Sequence, residues 1–247
     1  AAALVVKAVN LSLFRFIAWT PLVLYVSLTA LLPQETHWVV QRYIERPLVV
    51  FQRKFDIRQW VLVTSWNPLQ VWFFKECYLR FCVYDFTLDD LGNKFVHLSN
   101  NSIQKYSKRF NRTEIEGNMW HSDDFANHLK EKEGYDVWST KIHPQMKRIV
   151  TWSVQSAQDM VSVEELQPAA AADSCHWLRL LSLLCLTQIE SRQGSFELYG
   201  YDFMVDADYN PWLIEINSSP DFSYSTDVTK RLVKGAGVDT MKVVLDH

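Results

Sequence analysis

The sequence predicts an α+β fold, and three stretches carry the prediction. Residues 195–220 hold two apolar runs on either side of a polar segment with Asp206, Asp208, Asn210 and Pro211, which is a β-hairpin pattern. Residues 54–63 alternate with the period of a strand: Lys54, Asp56 and Arg58 fall on one face, and Phe55, Ile57 and Gln59 on the other. Residues 117–161 are helical in character. Ser122-Asp123-Asp124 is placed to cap a helix with Phe125 and Leu129, and a second helix follows Pro144.

Composition sets the outer bounds. The chain has 247 residues, 48% of them hydrophobic, which is enough for a sizeable core. Aromatic residues at 14%, ten Trp among them, argue for large packed surfaces and against disorder. A net charge of −3 gives no support for nucleic-acid binding. Cys77, Cys82, Cys175 and Cys185 have neither CxxC spacing nor a His pair of zinc type, so they read as reduced thiols in a cytosolic protein.

Residues 1–34 form an atypical apolar segment. Val9 to Leu32 is largely apolar, with Arg15 and Pro21 inside it, and Phe16 to Leu32 is near the lower length for a membrane span. A buried helix or strand pair, a signal anchor and the translated end of an intron (the run closes Leu-Leu-Pro-Gln34) all fit the pattern. A membrane is not among the expected partners. Residues 37–50 read as a strand entering a turn at Pro47.

The mixed-charge face of residues 54–58 is by default a solvated one. Trp66 to Leu69 reads as a turn, and Val71 to Arg80 as the next strand. His97 reads as a hydrogen-bonded structural histidine. Lys105, Lys108, Arg109 and Arg112 read as a solvated helix face or as a basic run that attracts an acidic peptide. Residues 163–189 break the pattern, from the Pro168 to Ala172 run through a Leu-rich run to Gln188, again with a packed helix or an intron end as readings, and the resemblance given below implies an insertion there. Beyond it, Thr226 to Lys234 is expected as a helix that Gly235 stops, with a short apolar run from Met241 to Leu245.

The chemistry concentrates in the hairpin. If Asp206 and Pro211 close its loop, Asp202 lies opposite Glu215, and Asn217 shares that face. Two carboxylates so close repel unless a cation lies between them. Carboxylates with an amide oxygen are hard ligands that suit Mg²⁺. Solvated acids on an edge hairpin are the plain alternative. Against it, apolar neighbours flank both acids (Tyr201 and Phe203; Ile214 and Ile216), and a buried carboxylate needs a partner.

The run Phe196-Glu-Leu-Tyr-Gly-Tyr-Asp-Phe203, followed by Pro211-Trp-Leu-Ile-Glu-Ile-Asn-Ser-Ser-Pro220, resembles the tubulin tyrosine ligase-like family of ATP-grasp ligases. The resemblance covers most of residues 37–161 and 190–247 and is weak in 1–34 and about 163–189. It implies that residues 35–247 are a partial ATP-grasp-like domain, the C-terminal portion with a mixed or antiparallel sheet and flanking helices. The N-terminal lid would be missing or replaced, since no glycine precedes Gly92 and ATP-grasp lids carry a Gly-rich loop.

By resemblance, Asp202, Glu215 and Asn217 hold the Mg²⁺ of Mg-ATP. Gln41, Arg42, Tyr43 and Ile44 read adenine, Lys54, Asp56 and Asn100 lie near the nucleotide, and Lys105 lies along the acceptor groove. Arg58 lies near the acceptor or the transferred phosphoryl group and Arg80 faces the reaction centre, where the two would stabilise the acyl phosphate or orient the acceptor. The usual residue at position 42 is Lys, here Arg. The implied activity is ligation of an amino acid to glutamate side chains of tubulin C-terminal tails through an acyl phosphate. Lys54-Phe-Asp-Ile-Arg-Gln-Trp60 with Asn67-Pro-Leu-Gln-Val-Trp-Phe73 looks most like the glycylases, hence glycine as donor. Cytoplasm, cytoskeleton and the ciliary axoneme are the implied locations. The alternative is an inactive microtubule-binding module.

Overall fold

The computed structural model describes residues 4–8, 38–110, 114–162 and 195–246. The expectations for residues 9–34 and 163–189, and those touching Cys175, Cys185 and Arg112, lie outside them. The described part of the first segment is strand β1 (Leu4–Ala8), paired antiparallel with β2 (Trp38–Arg42) in a two-stranded sheet of their own.

The main sheet is built around one long strand, β4 (Arg53–Trp66). Short β3 (Val49–Val50) folds back onto its start. β5 (Leu69–Phe73) and β6 (Tyr78–Phe81) share one edge of β4, opposite residues 61–66 and 55–58 respectively. β8 (Glu197–Val205) takes the other edge, and β9 (Pro211–Asn217) follows it by hairpin. β7 (Met119–His121) borders β6, so the path runs β7-β6-β4-β8-β9, and every described pair is antiparallel.

The expected single strand from Val71 to Arg80 is therefore two. At the break between them, Phe74 N–H donates to Trp60 O at 3.2 Å, and Gln59 Nε2 donates to Trp60 O and Phe74 O at 2.9 and 2.8 Å. The buried Gln59 side chain supplies backbone partners where the ladder lapses.

Among the described residues, the helices flanking the sheet are α1 (Lys94–His97), α2 (Asn101–Gln104), α3 (Ser122–Glu133), α4 (His143–Ser162) and α5 (Asp227–Asp246). Asp124 accepts from His121 N–H at 3.2 Å at the start of α3, so the cap sits one residue earlier than Ser122. Gly134, at φ 78°, ends that helix in the left-handed conformation. Met119–His121 falls within a stretch expected to be helical and is a strand instead, because the outer edge of β6 takes it up. Lys105, Lys108 and Arg109 are exposed as expected, but they follow α2 in turns and form no helix face.

Alternation along β4 makes the sheet two-sided. Phe55, Ile57, Val61 and Val63 join Tyr201, Phe203 and Val205 of β8 in the main core. Met146, Val150, Val154 and Ala157 of α4 cover that face at helical spacing, with Phe125 and Leu129 of α3. On the opposite face Trp60 packs with Tyr78, Met119 and α5 residues Leu232, Val233 and Ala236, and stacks on Phe222 at 5.0 Å.

Gly235 does not stop α5. Thr229, Leu232, Val233, Ala236 and Thr240 form one buried stripe across it, and that packing outweighs the roughly 1 kcal/mol that a helical glycine costs. A Cβ at residue 235 would meet nothing within 4 Å. Gly235→Ala is expected to raise stability by roughly 0.5–1 kcal/mol, read as a higher urea midpoint at unchanged slope. A lower midpoint would contradict a helix continuous through this residue.

Candidate active site

The face of β4 opposite the main core carries Lys54, Asp56 and Arg58 before it reaches Trp60. All three charged residues are buried, at 3%, 7% and 6% exposure, where a solvated face was the default expectation. The reason lies in what stands beside them. Asp56 is directly across from Arg80 on β6, and Arg58 is directly across from Asp202 on β8. Arg80 forks onto Asp56, Nε to Oδ1 at 2.7 Å and Nη2 to Oδ2 at 2.6 Å. Arg58 forks onto Asp202 in the same way, through Nε to Oδ1 and through Nη2 to Oδ2 at 3.0 Å.

Arg80 Nη2 also lies 2.9 Å from Asp202 Oδ2 and joins the two pairs. Charge thus alternates Asp56, Arg80, Asp202, Arg58 across three strands. Burial works to raise the Asp202 carboxyl, and the Arg80 and Arg58 guanidiniums overcome it, holding the carboxyl below its usual range. Burial works to lower both arginines, and their aspartates raise them instead.

The hairpin places Glu215 opposite Asp202, as the sequence spacing predicts, by a different route. Its last pair is Val205–Pro211, and a bulge between Asp202 and Phe203 shifts the register by one residue. Asp206 is withdrawn from the ladder to hold the turn. Its Oδ1 accepts from the N–H groups of Asp208 and Asn210, both at 2.9 Å, and its Oδ2 from Trp212 Nε1 at 2.8 Å. Asn217 lies opposite Gly200 and donates Nδ2 to Gly200 O at 3.3 Å and to Glu215 Oε1 at 3.5 Å.

By residue type the donor set suits Mg²⁺. Two carboxylates and an amide group stand on adjacent strands, and hard oxygen ligands with room for waters are what the ion takes. Among the described residues no group of three His, Cys, Asp or Glu gathers as a metal centre, so the set would be these two acids with Asn217. Asp202 accepts three N–H groups, from Arg58 Nε, Arg58 Nη2 and Arg80 Nη2, out of roughly four lone-pair directions. By that count one direction remains, on Oδ1.

A second cluster adjoins the first through Lys54. Lys54 Nζ donates to His97 O at 2.7 Å and to the Tyr43 hydroxyl at 3.3 Å, and lies 4.9 Å over the Tyr43 ring. The Tyr43 hydroxyl meets His97 Nδ1 at 2.7 Å, and His97 Nε2 meets Asp90 O at 2.9 Å, the structural role expected of this histidine. Burial lowers the Lys54 ammonium and raises the Tyr43 hydroxyl.

Other expected residues stand apart. Ile44 is half-buried, Arg42 is exposed, and Gln41 and Arg42 pair with Val5 and Leu4 of β1, outside the main sheet. Asn100 is half-buried at the start of α2, where its carbonyl accepts from Ile103 and Gln104 N–H. Lys105 is exposed, its Nζ 5.2 Å over the Tyr106 ring.

Two residues escaped the sequence reading. Gln104 is buried and ties this block to the end of β6, accepting from Val83 N–H at 3.0 Å and donating to Phe95 O at 3.3 Å. Gly200 lies inside β8 against Arg58. A glycine inside an apolar strand is itself a signal of close approach.

The sequence pattern of the tubulin-tyrosine ligase family matches residues 22–171 and 176–247. Tubulin glycylase 3C of Tetrahymena thermophila is 47% identical over 216 residues, 87% of this chain and 18% of that protein. Tubulin monoglycylase TTLL3 of Homo sapiens is 45% identical over 213 residues, 85% of this chain and 24% of that protein. Protein monoglycylase TTLL8 of Mus musculus is 43% identical over 217 residues, 87% and 23% respectively. The chain spans less than a quarter of the length of each of these relatives.

Asp202→Asn would take the carboxylate from the buried Arg58 fork and one contact from Arg80, which keeps Asp56, and is expected to cost about 3–5 kcal/mol at neutral pH, measured by urea unfolding. The Asp202 carboxyl is depressed in the fold. Its contribution is therefore full above the unfolded carboxyl value of about 3.9 and is lost as pH falls below that through the folded value. The deficit of the variant against the parent should shrink through that window. A deficit that stays constant there would contradict the ion-paired assignment.

Proposed function

Because the chain belongs to the tubulin-tyrosine ligase family, we propose that it is the C-terminal portion of an ATP-grasp-like ligase domain that joins glycine to glutamate side chains of tubulin C-terminal tails. The observation that carries the reading is the buried Asp56, Arg80, Asp202, Arg58 chain standing beside Glu215 and Asn217. It presents two oriented guanidiniums next to a carboxylate–amide set, which suits a reaction that handles phosphoryl charge. The relatives are named glycylase or monoglycylase, and that favours glycine as the donor.

Asp202, Glu215 and Asn217 would hold Mg²⁺, which when bound would neutralise phosphate charge. Lys54, held between Tyr43 and the His97 carbonyl, lies on the same β4 face and would meet the nucleotide, with Tyr43 and Ile44 toward adenine. Asp56 keeps Arg80 extended over β4. Arg80 and Arg58 would stabilise the acyl phosphate formed when a glutamate carboxylate oxygen attacks the γ-phosphorus and ADP leaves. The amine of glycine then attacks the acyl carbon, the bond to phosphate breaks, phosphate departs with that electron pair, and the nitrogen loses its proton.

Gln41, Arg42, Asn100 and Lys105 enter this reading as outlying contacts to adenine, phosphate and the acidic acceptor. The substrate would place the protein on microtubules of the cytoskeleton and the ciliary axoneme. No helix among the described residues is long and apolar enough to cross a membrane.

Labelled glycine, ATP, Mg²⁺ and tubulin supplied to the chain are expected to yield label on glutamyl side chains of the tails, located by peptide mass spectrometry. Glu215→Gln should lower the rate by about 10²–10³-fold, the scale of losing one electrostatic group at such a centre. Tubulin binding without incorporation, in a chain that fails to bind Mg-ATP, would replace this reading with the inactive binding module.

A further inference from the structure

Gly200 sits in β8 with Trp60 of β4 on one side and Asn217 of β9 on the other. A Cβ built there would lie 2.9 Å from Pro220 Cβ, 3.2 Å from Arg58 Nη1 and 3.4 Å from Arg58 Cδ. Two side chains from different parts of the chain therefore fill the space that any other residue would claim. The backbone at Gly200 lies outside the left-handed region, so conformation places no demand for glycine here. Close approach does.

Neither neighbour yields easily. Arg58 is forked through Nε and Nη2 onto Asp202, and Arg80 holds Asp202 from its other side. Pro220 has a ring-locked backbone, and only Ser218 and Ser219 separate it from Asn217. It also lines a cleft of about 380 Å³ with Tyr199, Ser218 and Phe222. Moving Arg58 loosens Asp202, and moving Pro220 pulls on the strand end that carries Asn217. Either displacement reaches the candidate site.

We propose that Gly200 is a positioning residue: its missing side chain is the seat in which Arg58 and Pro220 are fixed relative to each other, and so holds Arg58 in register with the Asp202–Glu215–Asn217 set. Its effect on ligation rests on the proposed ligase function; the seat itself rests on geometry alone. The fork leaves Arg58 Nη1 out of the Asp202 pair, and the added Cβ would press on that atom.

The test follows the Arg58 side chain directly, through its ¹⁵N–¹H Nε resonance in the whole chain, assigned by its loss in Arg58→Lys. In Gly200→Ala this resonance is expected to shift and its proton to exchange about tenfold faster or more, while kcat falls about tenfold to hundredfold, the cost of a misplacement near 1 Å. Adding Pro220→Gly to Gly200→Ala removes the shortest clash and should return both the resonance and kcat toward the parent.

An unmoved Arg58 resonance in Gly200→Ala overturns the proposal. So does a fall in kcat that tracks only the folded fraction and does not recover with Pro220→Gly. A displaced resonance with kcat unchanged likewise overturns the positioning role. A parent chain without ligase activity overturns the ligase reading instead, and the resonance alone then decides whether the seat exists.

Discussion

The rest of the structure depends on one carboxylate. Asp202 is 2% exposed and lies between two guanidiniums, Arg58 directly opposite on β4 and Arg80 reaching over from β6 beyond it. An unpaired carboxylate at that depth would be too costly to keep ionised, and two unpaired guanidiniums would be no better. The Asp56 carboxylate completes the compensation. Because each group neutralises its neighbours, the four stand or fall together, and β6, β4 and β8 must hold their register for any of them to be satisfied. A buried ionic chain of this kind is weak evidence for stability, since apolar residues would often do as well. Its presence is better understood as a device that fixes two arginines at chosen places.

The two-sided sheet explains how such a device is tolerated. One face of β4 is sealed by α3 and α4 with aromatic and aliphatic side chains, and the hydrogen bond between Ser153 Oγ and the Tyr201 hydroxyl satisfies the polar group that β8 buries there. The other face is divided along its length. The Trp60 end packs against α5 and Phe222, while the Lys54 to Arg58 end is polar. Apolar packing supplies the stability on one side, and the polar stretch is free to carry chemistry on the other. The Lys54, Tyr43 and His97 cluster continues that stretch, with every hydrogen bond directed inward to named acceptors.

The local periods were legible in the sequence, and the long-range partners were not. The strand at residues 54–63, the turn at Asn67-Pro68, the helix from His143 and the pairing of Asp202 with Glu215 all follow from alternation, turn chemistry and spacing. The charged face of β4 reads locally as solvated because its partners are 24 and 144 residues away, at Arg80 and Asp202, and no local pattern shows them. Asp206 fits the ladder by spacing, but its hydrogen bonds to Asp208 and Asn210 within the turn compete and win. Gly235 carries the local mark of a helix end, and the packing of Leu232, Val233 and Ala236 on Trp60 overrides it. The break between β5 and β6 depends on how Gln59 satisfies the backbone, which a strand pattern does not encode.

The most direct test of this account is a double-mutant cycle between Arg80 and Asp202, with Arg80→Gln and Asp202→Asn made singly and together and unfolding free energies measured in urea at neutral pH. A single electrostatic unit predicts strong non-additivity: the double variant should be destabilised by well under the sum of the two single changes, with a coupling of about 1.5–3 kcal/mol. Additivity within about 0.3–0.5 kcal/mol would show that the two residues act independently, and would contradict the claim that Asp202 is held between its arginines.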